Sequence, residues 1–388
     1  MDQINVTEPL ARARELAGPL AEAGDEIERT RRIPERLLSR LHGQGLFRLL
    51  LPRDLGGGEV EPGAYVLALE ELARHDASVA WNVFVGNSAA LIAPYLPLDT
   101  AREIFADPRS VIAWGPPHKG LADAEPGGYR VGGTWEFASG CRQANWMGVH
   151  CRVREGDGNL RLNEAGRPTF RTLLFPSHRA VLHDTWDTIG LRGTASDSYS
   201  VKDLFVAEAY SATRDDPGLR RKSGPLYAFP QQTLYAVGVA AVALGIGRAM
   251  LSAFTDLAAD KTPRGQARLA ETASVQAGVA HGEATLGAAR AYLLEALAEV
   301  YAGAGETEPI DIPDRARVRL AATHAIHGAS DVTDWVYKAA GVSAIFPGTP
   351  FERRFRDMHT LTQQIQARGS HYETAGQVLL GMPPEIYF

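Results

Sequence analysis

Apolar residues recur three and four positions apart over Leu10–Ala23 and Pro34–Leu46, the spacing of a helix with one buried face, and the second stretch runs out into Gly43 and Gly45. The loop Pro52–Gly58 carries three consecutive glycines that no helix interior tolerates. Pro62 suits a first helical turn and opens a helix over Gly63–His75; a more apolar helix follows from Ser78 to Ala93. Near Asp107-Pro108 the period changes. Ser110–Gly115, Tyr129–Phe137, Met147–Val153, Thr172–Phe175 and Tyr199–Val206 are short runs rich in β-branched and aromatic residues, parted by Gly, Pro and Asp. After Asp216-Pro217 the helical period returns over Leu234–Leu257, Ala267–Tyr301 and Asp314–Ala340, with a last stretch from Phe351 to Leu380 broken near Gly369. Long helices on short links describe a bundle. The expected fold is therefore α+β: an N-terminal helical domain (1–108), a central antiparallel β-barrel or sandwich domain (109–216) and a C-terminal four-helix bundle (217–388).

Composition narrows the function. The 388 residues carry 40 Lys plus Arg against 46 Asp plus Glu, a net charge of −6. The short run Arg220-Arg221-Lys222 reads as a solvated turn, so nucleic acid is not an expected partner. Cys141 and Cys151 form no metal or disulfide spacing, and the histidines form no spaced ligand set. The first ten residues lack an apolar signal core, and the longest apolar run, Leu234–Gly247, falls short of the roughly 18 residues of a membrane span. A cytoplasmic enzyme without membrane contact is expected.

The common catalytic motifs are missing. Gly245-Ile-Gly247 lies inside a helical pattern and lacks the third glycine of a dinucleotide fingerprint, and no GxxxxGK[ST], HExxH or GxSxG occurs. Three longer segments are more telling: Gly133-Thr-Trp-Glu-Phe-Ala-Ser-Gly-Cys141 with Ala144-Asn-Trp146; Asp184-Thr-Trp-Asp-Thr-Ile-Gly-Leu-Arg-Gly-Thr-Ala-Ser-Asp197; and Phe351-Glu-Arg-Arg-Phe-Arg-Asp-Met-His-Thr360. In this order and spacing they resemble the acyl-CoA dehydrogenase superfamily, and most closely its two-component flavin-dependent monooxygenase branch. The resemblance spans essentially the whole chain.

It implies a flavin between the β domain and the bundle, completed by a neighbouring subunit of a homotetramer. The small-residue helix Ala236–Gly247 suits a close contact within the bundle or between subunits. Strict alternation would set Trp135, Phe137 and Ser139 on one face, which in the family lies along the flavin ring with the Ser position at its N5/C4a edge. A core-facing aromatic pair ending in a turn serine is the alternative. Trp114-Gly-Pro-Pro117 corresponds to a loop beside the flavin, followed by His118, which faces either substrate or solvent. Arg264 stands where relatives have an arginine on the neighbouring subunit's flavin phosphate, although the Phe-Gly that follows it in dehydrogenases is missing here; a surface arginine is the other reading. His359 is a candidate acid/base, or a histidine on a solvated helix face.

Counting from Arg356 separates the chemistries. Many acyl-CoA dehydrogenases carry a catalytic Glu at the position occupied here by Ile365, and many monooxygenases of the branch carry a histidine where this chain has Gln364. Isoleucine cannot remove an α-proton, and glutamine can hydrogen-bond a substrate or peroxide without acting as an acid or base. His359, His118 or His371 would have to substitute. The expectation is a monooxygenase that takes reduced FMN or FAD from a separate flavin reductase and uses O2, through a C4a-hydroperoxyflavin, to oxygenate a small aromatic, indole-like or amine substrate. A flavin dehydrogenase or oxidase with its base elsewhere, or a non-catalytic flavin-binding homologue, are the alternatives.

Overall fold

A computed structural model describes residues 7–116, 120–163, 166–214 and 216–384. Six helices come first: α1 (Thr7–Arg14), α2 (Ala17–Thr30), α3 (Glu35–Gly43), α4 (Pro62–His75), α5 (Ala77–Ala90) and α6 (Leu98–Phe105). Eight strands follow: β1 (Ile112–Trp114), β2 (Gly120–Glu125), β3 (Gly128–Ala138), β4 (Trp146–Arg154), β5 (Phe170–Pro176), β6 (Val181–His183), β7 (Asp197–Ala207) and β8 (Ser211–Ala212). The chain closes with α7 (Gln231–Asp260), α8 (Ala273–Gly303), α9 (Ile312–Ala340), α10 (Glu352–Leu361) and α11 (Ser370–Leu379). The helical stretch expected over Leu10–Ala23 is split between α1 and α2, and the stretch after Phe351 breaks between α10 and α11.

The central sheet differs from the antiparallel one expected. Its strands run in the order β6-β7-β3-β2-β4-β5-β8, but β4 pairs in parallel with both β1 and β2, making the sheet mixed. The apolar pattern misses β2, with its alternating Ala and acidic residues, and the short strands β6 and β8. Tyr129, Val131, Trp135, Met147 and Tyr199 fill the core of this layer.

Both helical portions share one core. α4 and α5 lie against α7, and side chains from all three belong to a single apolar cluster with α8 and α9. Close approach explains the small residues of α7. A Cβ on Gly245 would run into the Glu70 carbonyl and come within 2.5 Å of Ala73 Cβ, while one on Gly238 would overlap the Phe84 ring. The Ala/Gly stripe thus serves helix packing within this chain. By length and hydropathy α7 could cross a membrane; here 83% of its most apolar window is buried by its neighbours. Asp76 Oδ1 accepts Val79 N–H at 2.9 Å, capping α5 and setting the angle between α4 and α5.

Two helical glycines give opposite expectations. Gly245→Ala overpacks α7 against α4 and lowers stability by about 1–3 kcal/mol. Gly287→Ala on α8 meets nothing within 4 Å and gains up to about 1 kcal/mol of helix propensity. Thermal unfolding of the two variants beside the parent chain checks the sign of each.

Candidate functional site

Strand β3 and the loop from Asp184 to Ser196 meet at the face that α5 and α10 present. The last turns of β3 are irregular. Trp135 pairs with Tyr199 and Ala138 with Asp197, so three steps on β3 oppose two on β7. The extra residue is a bulge, taken up at Phe137, whose φ is +61°. Consequently the shared face expected of Trp135, Phe137 and Ser139 is not found. Trp135 is buried in the sheet core, stacked on Tyr199 at 5.9 Å, with its Nε1 donating to the His150 carbonyl. Its side chain is withdrawn from any ligand. Phe137 turns outward, 58% exposed, edge-on to Trp186.

Ser139 is partly buried at the strand end. Trp81 Nε1 donates to its Oγ at 3.1 Å, and Ser139 Oγ lies 2.7 Å from Ser196 Oγ, which lies 2.7 Å from Thr194 Oγ1. Thr194 Oγ1 in turn donates to the Leu191 carbonyl at 2.8 Å. The next residue must be small: Gly140 has φ +78°, and a Cβ there would sit 2.9 Å from Asn82 Oδ1. The Trp114 loop lies alongside, since a Cβ on Gly115 would collide with the Glu136 carbonyl and Gly115 N–H donates to the Tyr199 hydroxyl at 3.3 Å. Trp114 itself is partly buried, edge-on to His150.

The loop that supplies Ser196 and Thr194 is fixed at both ends. Buried Asp197 accepts Thr185 N–H at 3.0 Å and Trp186 N–H at 2.9 Å on one oxygen, and Arg142 Nε reaches the other at 2.5 Å. On the far side, Leu191 N–H donates to Asp357 Oδ1 at 2.6 Å. Burial pushes the Asp357 carboxyl up to about 7, against the opposing pull of nearby Arg353 and of the Leu191 N–H.

Other expected residues lie elsewhere. His359 is two positions from Asp357, about 200° around α10, and its Nε2 is 2.9 Å from Asp334 Oδ1 on α9. Gln364 caps its own turn, its Oε1 accepting Gln366 N–H at 2.6 Å, while Ile365 beside it is exposed. His371 is buried and its Nε2 meets the Ile365 carbonyl at 2.9 Å; burial and the nearby Arg319 hold its ring below the usual histidine range. Arg264 is exposed on the link after α7, ~33 Å along that helix from Gly238 at 1.5 Å per residue; the link is tied down by Lys261, whose Nζ donates to the Ala340 carbonyl at 2.7 Å. His118 falls outside the described residues. The sequence does not mark Trp81, Thr194, Ser196 and Asp357 as site residues, although the last three stand in the segments that carry the family resemblance. Only Trp81, inside an apolar helix, has no signal at all. A cleft of about 860 Å³, lined by none of these residues, opens among Arg12, His42, Arg48 and Arg102 of the N-terminal helical portion. There Arg48 is engaged by the Leu55, Phe105 and Asp107 carbonyls. Among the described residues no group of His, Cys, Asp or Glu could hold a metal ion, and both cysteines are buried, their thiols pushed up to about 12 by burial.

Protonation of Asp357 has a definite sign. Its folded value lies above that of an exposed carboxylate, so the folded chain binds more protons between about pH 4 and 7, and its contribution to stability is lost as pH rises through 7. Asp357→Asn keeps an acceptor for Leu191 and removes the charge. The difference in melting temperature, variant minus parent, is therefore expected to grow more positive from pH 5.5 to pH 8.

Family models for the acyl-CoA dehydrogenase N-terminal domain and C-terminal domain match residues 11–96 and 237–368. The chain is 30% identical to the indole-3-acetate monooxygenase of Pseudomonas putida over 92% of its own length and 90% of that protein's. It is 28% identical to the flavin-dependent monooxygenase oxygenase subunit HsaA of Rhodococcus jostii, with 88% and 89% covered. Among solved structures, XiaF from Streptomyces sp. in complex with FADH2 and glycerol superposes with a TM-score of 0.89 over 98% of this chain and 97% of that one; at 23% identity this likeness speaks for the fold. The chain belongs to the acyl-CoA dehydrogenase family and is an oxidoreductase of its flavin-dependent monooxygenase branch.

Proposed function

We propose that this chain is the oxygenase component of a two-component system, taking reduced FMN or FAD from a separate reductase and inserting one oxygen atom of O2 into a small indole-like or amine substrate. The observation that carries it is the hydroxyl of Ser139, held between Trp81 and Ser196 beside the exposed ring of Phe137. These residues fit a flat, hydrogen-bonding ring: Phe137 offers apolar surface, the Trp114 loop a stiff neighbouring wall, and Ser139 a polar contact. When bound, the reduced flavin supplies two electrons and the carbon at which O2 is activated, the second oxygen atom leaving as water.

The protein's part is to hold the ring, to keep water from it, and to place Ser139 at its polar edge. Arg264, exposed on its link, would reach the flavin phosphate of a neighbouring subunit, in a cytoplasmic homotetramer. An indole-like substrate is favoured over a phenol for two reasons. It needs no strong base, and Gln364, whose amide oxygen is committed to a backbone N–H in its own turn, offers none. Similarity to an indole-3-acetate monooxygenase supports the same choice. Ile365 at the position of the dehydrogenase base speaks against acyl-CoA dehydrogenation.

The test pairs the purified protein with a flavin reductase, NADH, O2 and a panel of indoles, amines and phenols. Oxygenated product from an indole or amine is expected, and Ser139→Ala should divert about three to ten times more of the reduced flavin to hydrogen peroxide, the worth of one hydrogen bond. A tightly held yellow flavin bleached directly by an acyl thioester would overturn the reading.

A further inference from the structure

The hydroxyl chain behind Ser139 has its direction dictated by proton counting. Three oxygen–oxygen contacts link Ser139 to Ser196, Ser196 to Thr194, and Thr194 to the Leu191 carbonyl, at 2.7, 2.7 and 2.8 Å. Two oxygens approach this closely only with a hydrogen between them. Three hydroxyl protons are available, and the carbonyl brings none. Thr194 must therefore donate to Leu191, which leaves it an acceptor for Ser196; Ser196 must then donate to Thr194, which leaves it an acceptor for Ser139. The proton of Ser139 is thus turned away, into the protein. Trp81 N–H occupies one of its two lone pairs, so the partly exposed oxygen has one acceptor position left and no donor.

We infer that Thr194 and Ser196 are positioning residues that hold Ser139 as a pure acceptor and thereby make the site select the reduced form of the flavin over the oxidised form. This rests on the flavin reading above. Reduced flavin carries a hydrogen on N5 and can donate to the open lone pair of Ser139. Oxidised flavin presents a bare lone pair at N5, and two acceptors face each other. The gap amounts to one neutral hydrogen bond, about three- to tenfold in the ratio of dissociation constants. A site that discriminates in this way accepts what a reductase delivers and lets go of the spent cofactor. Ser196 is buried and Thr194 almost wholly so, so neither touches the ligand; they act through Ser139.

The experiment is an anaerobic titration of FMN and FAD, oxidised and dithionite-reduced, read by flavin absorbance and fluorescence. It uses the full chain and Ser196→Ala, Thr194→Val and Ser139→Ala, each checked for folding by its melting curve. The parent is expected to bind the reduced form more tightly. In Ser196→Ala the Ser139 proton has lost its acceptor and can turn to oxidised N5, so the oxidised-to-reduced ratio of dissociation constants should fall about three- to tenfold. Thr194→Val keeps the volume, frees Ser196 to donate back to Ser139, and should move the ratio in the same direction; it reads the proposal should Ser196→Ala fail to fold. A ratio that falls in Ser139→Ala but stays at the parent value in Ser196→Ala and Thr194→Val would overturn the proposal while leaving Ser139 on the flavin. A parent chain that binds neither redox form removes the flavin reading and the proposal together.

Discussion

The hydrogen bond from Leu191 N–H to the buried carboxyl of Asp357, together with those that Ser78 and Asn82 make to Gly193, ties the β layer to the helical body at the candidate site. It holds a loop that would not keep its shape alone. Leu191 and Ala195 have φ of +49° and +44°, conformations that cost a residue with a Cβ about 1–2 kcal/mol each. Gly190 and Gly193 flank Leu191, and a Cβ at either would strike neighbouring chain: the Arg356 carbonyl at one, Ile27 and Ser78 at the other. Asp197 and Arg142 close the loop at its other end. With so many fixed points the strained conformation is over-determined, and the hydroxyls of Thr194 and Ser196 are delivered to Ser139 as a consequence.

Which parts of this were legible in the sequence follows from how local each determinant is. Helical and strand periods are local, so the α, β, α order and the break after α10 can be read directly, as can Pro62 at the start of α4. Pairing direction is not local. The parallel partners of β4 lie 34 (β1) and 31 (β2) residues upstream in the chain, and nothing in the alternating Ala and acidic residues of β2 announces them. The same distinction explains Trp135. Alternation puts it with Phe137 and Ser139 until one extra residue is inserted, and that bulge depends on the register with β7 rather than on any residue of β3 itself. His359 likewise reads as a titratable group near the site, but the helix turns it toward Asp334 while Asp357, two positions earlier, faces the loop. A resemblance marks segments; only the fold separates a residue that faces the ligand from one that holds the first in place.

The direction of the hydroxyl chain also bears on what kind of oxygenation this site can support. A proton wire needs an end that can take up or release a proton. Here the chain ends on the Leu191 carbonyl, which also accepts from Trp186 Nε1 and Thr194 N–H. A carbonyl so occupied neither releases a proton nor stores one. The chain can therefore polarise Ser139 but cannot drain a proton from a substrate. Among the described residues, Gln364 supplies no base, because an amide cannot take up a proton and its oxygen caps a turn, and His359 is turned toward Asp334, away from the loop that Asp357 holds. A substrate that had to be ionised before oxygen transfer, as a phenol does, would find no acceptor among these groups. An indole or an amine is nucleophilic as it stands, and the function proposed above asks of the site only that it hold, shield and orient the ring.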